Sequence, residues 1–163
     1  MGVSQAVAFS LVAIVALSTF ISMALVYQRS QDIYDSSLQG VHQAQLATDQ
    51  TSIHIASVSN SADILYVNVS NNGSTNLFDF THFAVIVDYT GNASGVPFRS
   101  VASYSYSSKN PSSYGWTSVS GIIDPSTVGQ LEIILPYVAY IGTTATIIIS
   151  TSYGPMAEWR GTL

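Results

Sequence analysis

The chain has 163 residues, room for one membrane helix and one ordinary domain but not for two large cores. Charged residues make up 8% of it, against ~25% in typical soluble domains. Its four cations, Arg29, Arg99, Lys109 and Arg160, are too scattered to form the basic stripe that displaces counterions from phosphates, which excludes nucleic acid as a partner. The absence of cysteine excludes disulfide and thiolate-metal frameworks. The net charge of −5 reflects scarce cations, since Ser, Thr, Asn, Gln and Tyr supply most of the polarity. Acid has few paired carboxylates to protonate in such a surface. That suits an acidic exterior, and it is equally the ordinary composition of exported domains.

No charged side chain occurs in residues 1–28, and residues 6–27 are an apolar run broken only by Ser10, Ser18, Thr19 and Ser22. At ~1.5 Å per residue this run spans about 33 Å, enough for a hydrocarbon core of roughly 30 Å. A cleaved signal peptide has a basic n-region and a shorter apolar core of ~7–15 residues. Met1-Gly2-Val3-Ser4-Gln5 has no base, and pilin-type processing, which normally follows a basic residue and a glycine, lacks that base here. Residues 1–28 are therefore expected to be an uncleaved transmembrane helix. Arg29 taken alone would keep the C-terminal domain in the cytoplasm. The uncharged Ser/Thr/Tyr-rich remainder and three acceptor sequons, at Asn68, Asn72 and Asn92, favour the outside and mark possible N-glycosylation sites.

Residues 29–50 are rich in Gln and Ala, with no Pro and a single glycine, Gly40, and predict a helical stalk that continues the membrane helix. Tyr27, Tyr34, Leu38 and Val41 form a partial seam, but Gln31 and Gln45 interrupt it, which favours a solvated spacer over a coiled coil.

After Thr51 the pattern alternates. Strands are predicted at 52–57, 63–70, 82–89, 97–106, 116–121, 130–135 and 144–151, with a short last one at 157–160. Asn71-Asn72-Gly73-Ser74, residues 91–95, Asp124-Pro125-Ser126 and Gly154-Pro155 supply the turns. No helical period separates the strands. Residues 51–163 thus predict an all-β domain, an immunoglobulin-like antiparallel β-sandwich, preceded by one long N-terminal transmembrane α-helix.

Two strands are apolar on both faces. Phe83, Val85 and Val87 share one face of theirs and Ala84 and Ile86 the other, and Thr146-Ile147-Ile148-Ile149 behaves alike. A sandwich strand normally alternates apolar-in and polar-out. Either a loop covers the second face, or Ala84 and Ile86 belong to a partner-binding or homodimer surface. The stretch from Ser103 to Trp116 holds Tyr104, Tyr106, Tyr114 and Trp116 among Ser and Gly, the mix of binding loops. It reads either as an ordinary long hairpin connection or as a protein-interface loop whose rings could also stack on sugars.

Nothing in the sequence assembles a catalytic or cofactor site. His42, His54 and His82 lack metal-ligand spacing, and no nucleophile elbow, P-loop or dinucleotide fingerprint occurs. A non-enzymatic binding or structural module, without metal or cofactor, is expected.

Several segments carry a family likeness: Val67-Asn68-Val69-Ser70-Asn71-Asn72-Gly73-Ser74-Thr75-Asn76-Leu77 with the next strand from Phe83, Gly121-Ile122-Ile123-Asp124-Pro125 leading to the strand ending at Leu135, and the ending Ser152-Tyr153-Gly154-Pro155-Met156-Ala157-Glu158-Trp159. With the apolar N-terminus and short stalk, this layout resembles the archaellum accessory proteins F and G, part of the machinery of the archaeal swimming filament. The length and short stalk incline to F. The resemblance implies a sandwich that binds the surface-layer protein and anchors the motor in the envelope as a stator. It also implies protein G and the motor membrane proteins as partners, and a filament-forming G-type or pilin-like subunit as the alternative.

Overall fold

The computed structural model describes residues 2–163. Helix α1 runs from Gly2 to Gln50 without a break, because no proline and only Gly2 and Gly40 interrupt good helix formers. Its first half is apolar on every side, with Phe9, Leu11, Ile14, Leu17 and Phe20 all exposed. The hydroxyls of Ser10, Ser18, Thr19 and Ser22 turn back onto the helix. Ser10 donates to the Ala6 carbonyl at 2.8 Å, Ser18 to Val15 at 2.9 Å and Ser22 to Ser18 at 2.8 Å. Such groups require no water, which is what a hydrocarbon surrounding demands. By length and composition α1 can cross a membrane.

Residues 45–163 form a compact unit of their own, so it begins ahead of the boundary expected at residue 51. The last turns of α1 are tied into it by hydrogen bonds: Thr48 Oγ1 donates to the Tyr153 carbonyl at 2.7 Å, and the Ser74 amide donates to Gln50 at 2.8 Å.

The unit is all-β. Its strands are β1 Ile53–Ser61, β2 Ile64–Asn71, β3 Ala84–Ala93, β4 Val96–Tyr106, β5 Gly115–Ser118, β6 Val128–Ile134, β7 Thr144–Ser150 and β8 Met156–Thr162. Each predicted strand is present, the short last one included. Their hydrogen-bonded order is β1-β2-β6-β5-β4-β3-β7-β8, and β1 returns beside β8. The antiparallel sandwich expected from the sequence is present, with one local exception: β4 and β5 pair in parallel through Ser105↔Gly115 and Tyr106↔Trp116. After Tyr106 the chain runs out through residues 107–114 and re-enters in the same direction, with Asn110 and Tyr114 at positive φ (45° and 64°) to make the bends.

Burial follows the period of two. In β2 every second residue from Leu65 to Asn71 is buried, and in β7 Ala145, Ile147 and Ile149 are. The β3–β4 hairpin closes more tightly than a turn over 91–95 would. Ser94 and Gly95 alone form it, both at positive φ (52° and 89°), and this matches the twist of the strands it joins. An unpredicted 3-10 turn, Phe80–His82, precedes β3 and drops Phe80 into an aromatic cluster with Phe83, Tyr106 and Trp116. At the other end Asn71, fully buried, replaces missing backbone bonds. Its Nδ2 donates to the carbonyls of Thr75 (2.8 Å) and Ile123 (3.1 Å), and its Oδ1 accepts from the Gly73 amide at 3.1 Å.

Candidate interaction surface

The register of β4, β3, β7 and β8 lines up their outward side chains in rows. Ser103, Ile86, Ile148 and Glu158 make one row, and Val101, Asp88, Thr146 and Arg160 the next. Ala84, Ser150 and Met156 stand alongside. Ala84 and Ile86 lie on this outer face, with Ile86 39% exposed, Val101 59% and Met156 68%. No loop of the domain hides them, so the face carries an apolar strip on a surface otherwise rich in hydroxyls.

Next to the strip is a polar hollow of about 410 Å³, lined by Asp88, Thr90, Arg99, Thr144, Thr146 and Arg160. It gathers two of the chain's four cations. Arg99 grips Asp88 with both prongs, Nε to Oδ1 at 2.9 Å and Nη2 to Oδ2 at 2.6 Å. The guanidinium holds the Asp88 carboxyl below its ordinary value.

The predicted aromatic loop divides. Trp116 is fully buried and Tyr104 is 4% exposed, which corrects the reading of both as surface contacts. Neither Tyr104 Oη nor Trp116 Nε1 has a hydrogen-bond partner among the described residues, and burial pushes the Tyr104 phenol up. Tyr106 is half-buried, with its ring 5.0 Å from that of Trp116. Only Tyr114 is presented to solvent, at 45% exposure. The cause is the alternation Ser103-Tyr104-Ser105-Tyr106, which continues β4 and turns both tyrosines inward.

The sequon asparagines differ in setting. Asn68 is half-buried mid-strand, donating to Ser57 Oγ at 2.8 Å, so the nitrogen a glycan would need is already engaged. Asn72 is exposed and accepts from Ser70 Oγ at 2.7 Å. Asn92 is half-buried and accepts from the Gly95 amide at 2.8 Å within the β3–β4 hairpin. Asp79 and His82, near neighbours in the sequence, are bonded at 2.8 Å, while Thr81 donates to Asp79 at 2.6 Å. The Thr81 hydroxyl, with His82 second, keeps the Asp79 carboxyl below its usual value. Among the described residues no three His, Cys, Asp or Glu side chains converge as metal ligands.

The comparisons with known proteins bear on this fold. Among curated proteins none matches the chain. Solved structures resemble it at identities that carry the fold alone. The archaellum periplasmic stator protein FlaG from Sulfolobus acidocaldarius is 21% identical, with a TM-score of 0.53 over 68% of this chain and 99% of that one. The stator complex of FlaF and FlaG from the same organism gives 20% identity and a TM-score of 0.53, over 67% of this chain and 87% of that one. The archaeal flagellum of Methanospirillum hungatei gives 14% identity and a TM-score of 0.65, over 98% of this chain and 92% of that one. The model of the conserved flagellar protein F, immunoglobulin-like domain, matches residues 49–161, nearly the whole β unit with its Asn71 turn, outer apolar strip and final strand. The chain belongs to the family of conserved flagellar protein F, of which residues 49–161 are the immunoglobulin-like domain.

Proposed function

We propose that this chain is a non-enzymatic stator component of the archaellum. Helix α1 holds it in the membrane, its outer part serves as a stalk, and the β domain stands outside the cytoplasm, beneath the surface layer, where it grips the surface-layer protein. The observation that carries this reading is the family F match over residues 49–161. The fold shared with two proteins described as periplasmic stators supports it. A rotating filament needs a fixed counterpart, and a membrane fluid in two dimensions cannot supply one. A rigid lattice outside can.

On this reading the outer apolar strip, with Ala84 and Ile86, is the face that meets the surface-layer protein or a second copy, and protein G and the motor membrane proteins are the further partners. The strip's exposure supports the assignment, since soluble monomers seldom leave such rows uncovered. A second reading, a filament-forming subunit of G or pilin type, draws on the likeness to the archaeal flagellum, which reaches across 98% of this chain. That likeness concerns fold alone, and the family match favours the stator.

Capture tests the stator reading. The tagged full-length chain, solubilised from an envelope fraction, should retain one dominant surface-layer band. Filaments in detergent-free preparations, with no such band, would transfer the assignment to the second reading.

A further inference from the structure

The hollow beside the apolar strip lies where the pairing of the outer sheet changes hands. Strands β3 and β7 pair as far as Asp88↔Thr146. Beyond that pair the loop after β6 takes over from β7. The Tyr140 amide donates to the Thr90 carbonyl at 2.8 Å, and the Asn92 amide to the Val138 carbonyl at 2.9 Å. The middle of the hollow therefore consists of short side chains on the two central strands: Asp88, Thr90, Thr144 and Thr146. Its flanks are long ones from the strands on either side, Arg99 on β4 and Arg160 on β8.

These side chains have bonding capacity left over. Among the described residues the hydroxyls of Thr90, Thr144 and Thr146 make no side-chain hydrogen bond. Arg99 commits Nε and Nη2 to Asp88, which leaves its Nη1 open. Asp88 accepts one bond on each carboxylate oxygen, so lone pairs remain on both. Arg160 is exposed and has no ion pair among the described residues, although Glu158 stands one row away. The Arg99 bonds hold the Asp88 carboxyl down first, and the charge of Arg160 adds to them, so both guanidiniums act on the same carboxylate. Arg99 and Asp88 cancel, and the charge of Arg160 is left unmatched in a chain whose net charge is −5.

We propose that the hollow binds an acidic monosaccharide unit, a hexuronate, with its carboxylate on Arg160 and its hydroxyls on Asp88 and the three threonines. The volume of about 410 Å³ lies within the roughly 300–1,000 Å³ of ligand sites. Two features select this chemistry. The unmatched guanidinium requires an anion, and a carboxylate fits its fork with two parallel bonds. The free lone pairs of Asp88 require a donor, which a sugar hydroxyl supplies and a second carboxylate does not. An acidic side chain from a protein would satisfy Arg160 and leave Asp88 and the threonines as they are. A neutral sugar would satisfy the middle of the hollow and leave the charge unmatched. Asp88 lies one row from Ile86, toward the β3–β4 hairpin, so a bound sugar leaves the apolar strip uncovered.

The test is a titration of the full chain in detergent micelles, followed by amide NMR shifts. Glucuronate should move the amides of Asp88, Thr146 and Arg160 saturably, with a Kd on the order of 1 mM. Glucose, which lacks the carboxylate, and acetate, which lacks the hydroxyls, should each bind about tenfold more weakly. Arg160→Gln should weaken glucuronate binding about tenfold, with circular dichroism unchanged because the side chain is exposed. No saturable shift with glucuronate overturns the site. Equal affinity for acetate would make the hollow a seat for acidic side chains, and equal affinity for glucose would leave the charge without a role. Either result refutes the hexuronate. Undiminished binding by Arg160→Gln refutes it too, and if that variant does not fold, the three ligands on the unaltered chain still decide. None of these readouts involves the surface layer or another archaellum component, so failure here leaves the stator reading to its own test.

Discussion

Asp88 and Arg99 are joined diagonally across β3 and β4, since Asp88 has Val101 as its register partner and Arg99 has Thr90. Both prongs of the guanidinium are engaged, at 2.9 and 2.6 Å. The hydrogen bonds from Arg99, with its charge, hold the Asp88 carboxyl below the ordinary value of 3.8. The folded value is the lower one, so the pair's contribution is complete above that ordinary value. It is lost as pH falls through the depressed folded value. Asp88→Asn should change the melting temperature little at neutral pH, because the arginine is 75% exposed. It should also flatten the fall of stability below about pH 4. Thermal melts of both proteins from pH 7 to pH 2 check this, and parallel curves would show that the pair does not set the acid response.

Trp116 tests the corrected aromatic assignment. Its side chain is fully buried and meets Phe80, Phe83 and Tyr106 ring to ring. Trp116→Ala should cost about 3–5 kcal/mol in denaturant unfolding, a large share of a domain's stability. A well-folded variant that had lost only glycan binding would return Trp116 to the surface.

Gly129 and Ile123 make a tight pair. A Cβ on Gly129 would fall onto Ile123 Cγ1 and Cδ1, and Ile123 is 2% exposed. Gly129→Ala should destabilise by about 1–3 kcal/mol. Combining it with Ile123→Val should recover part of that loss, a coupling that a double-mutant cycle in urea reads directly.

Asn71 is buried in the turn before Leu77 and makes three side-chain bonds. Asn71→Ala should cost about 1–3 kcal/mol, because buried backbone groups lose their partner. Hydrogen exchange should rise first at the Gly73 amide, which Asn71 Oδ1 holds. Unchanged protection there would assign the turn's order to its backbone bonds.

Ile86 carries the surface proposal. Ile86→Lys places a charge on an outward apolar strip, so circular dichroism should be unchanged while partner binding falls. An unfolded variant would make Ile86 a core residue.

Much of this was legible in the sequence because strands report themselves by a period of two. Phe83, Val85 and Val87 point in and Ala84 and Ile86 out, as that period requires. The same rule, carried past Ser103, places Tyr104 and Tyr106 inside. The composition of a binding loop hid an alternation that was already present. Trp116 was harder to place, because its burial depends on the 3-10 turn that lowers Phe80 onto it, a contact between residues far apart in the chain. The parallel pairing of β4 and β5 left no local mark either. It depends on positive φ at Asn110, a residue that adopts it readily, and at Tyr114, whose side chain gives no sign of it. The bonds that tie the last turn of α1 to the β strands, such as Thr48 to Tyr153, are invisible to helix propensity.

If this domain couples the motor to a rigid lattice, the chain should be held still by that lattice in the living envelope. Single-molecule tracking of the labelled full-length chain reads this without an intermediate step. Immobile molecules are expected under an intact surface layer, and free lateral diffusion once the layer is stripped. Equal, fast diffusion in both states would contradict the stator reading.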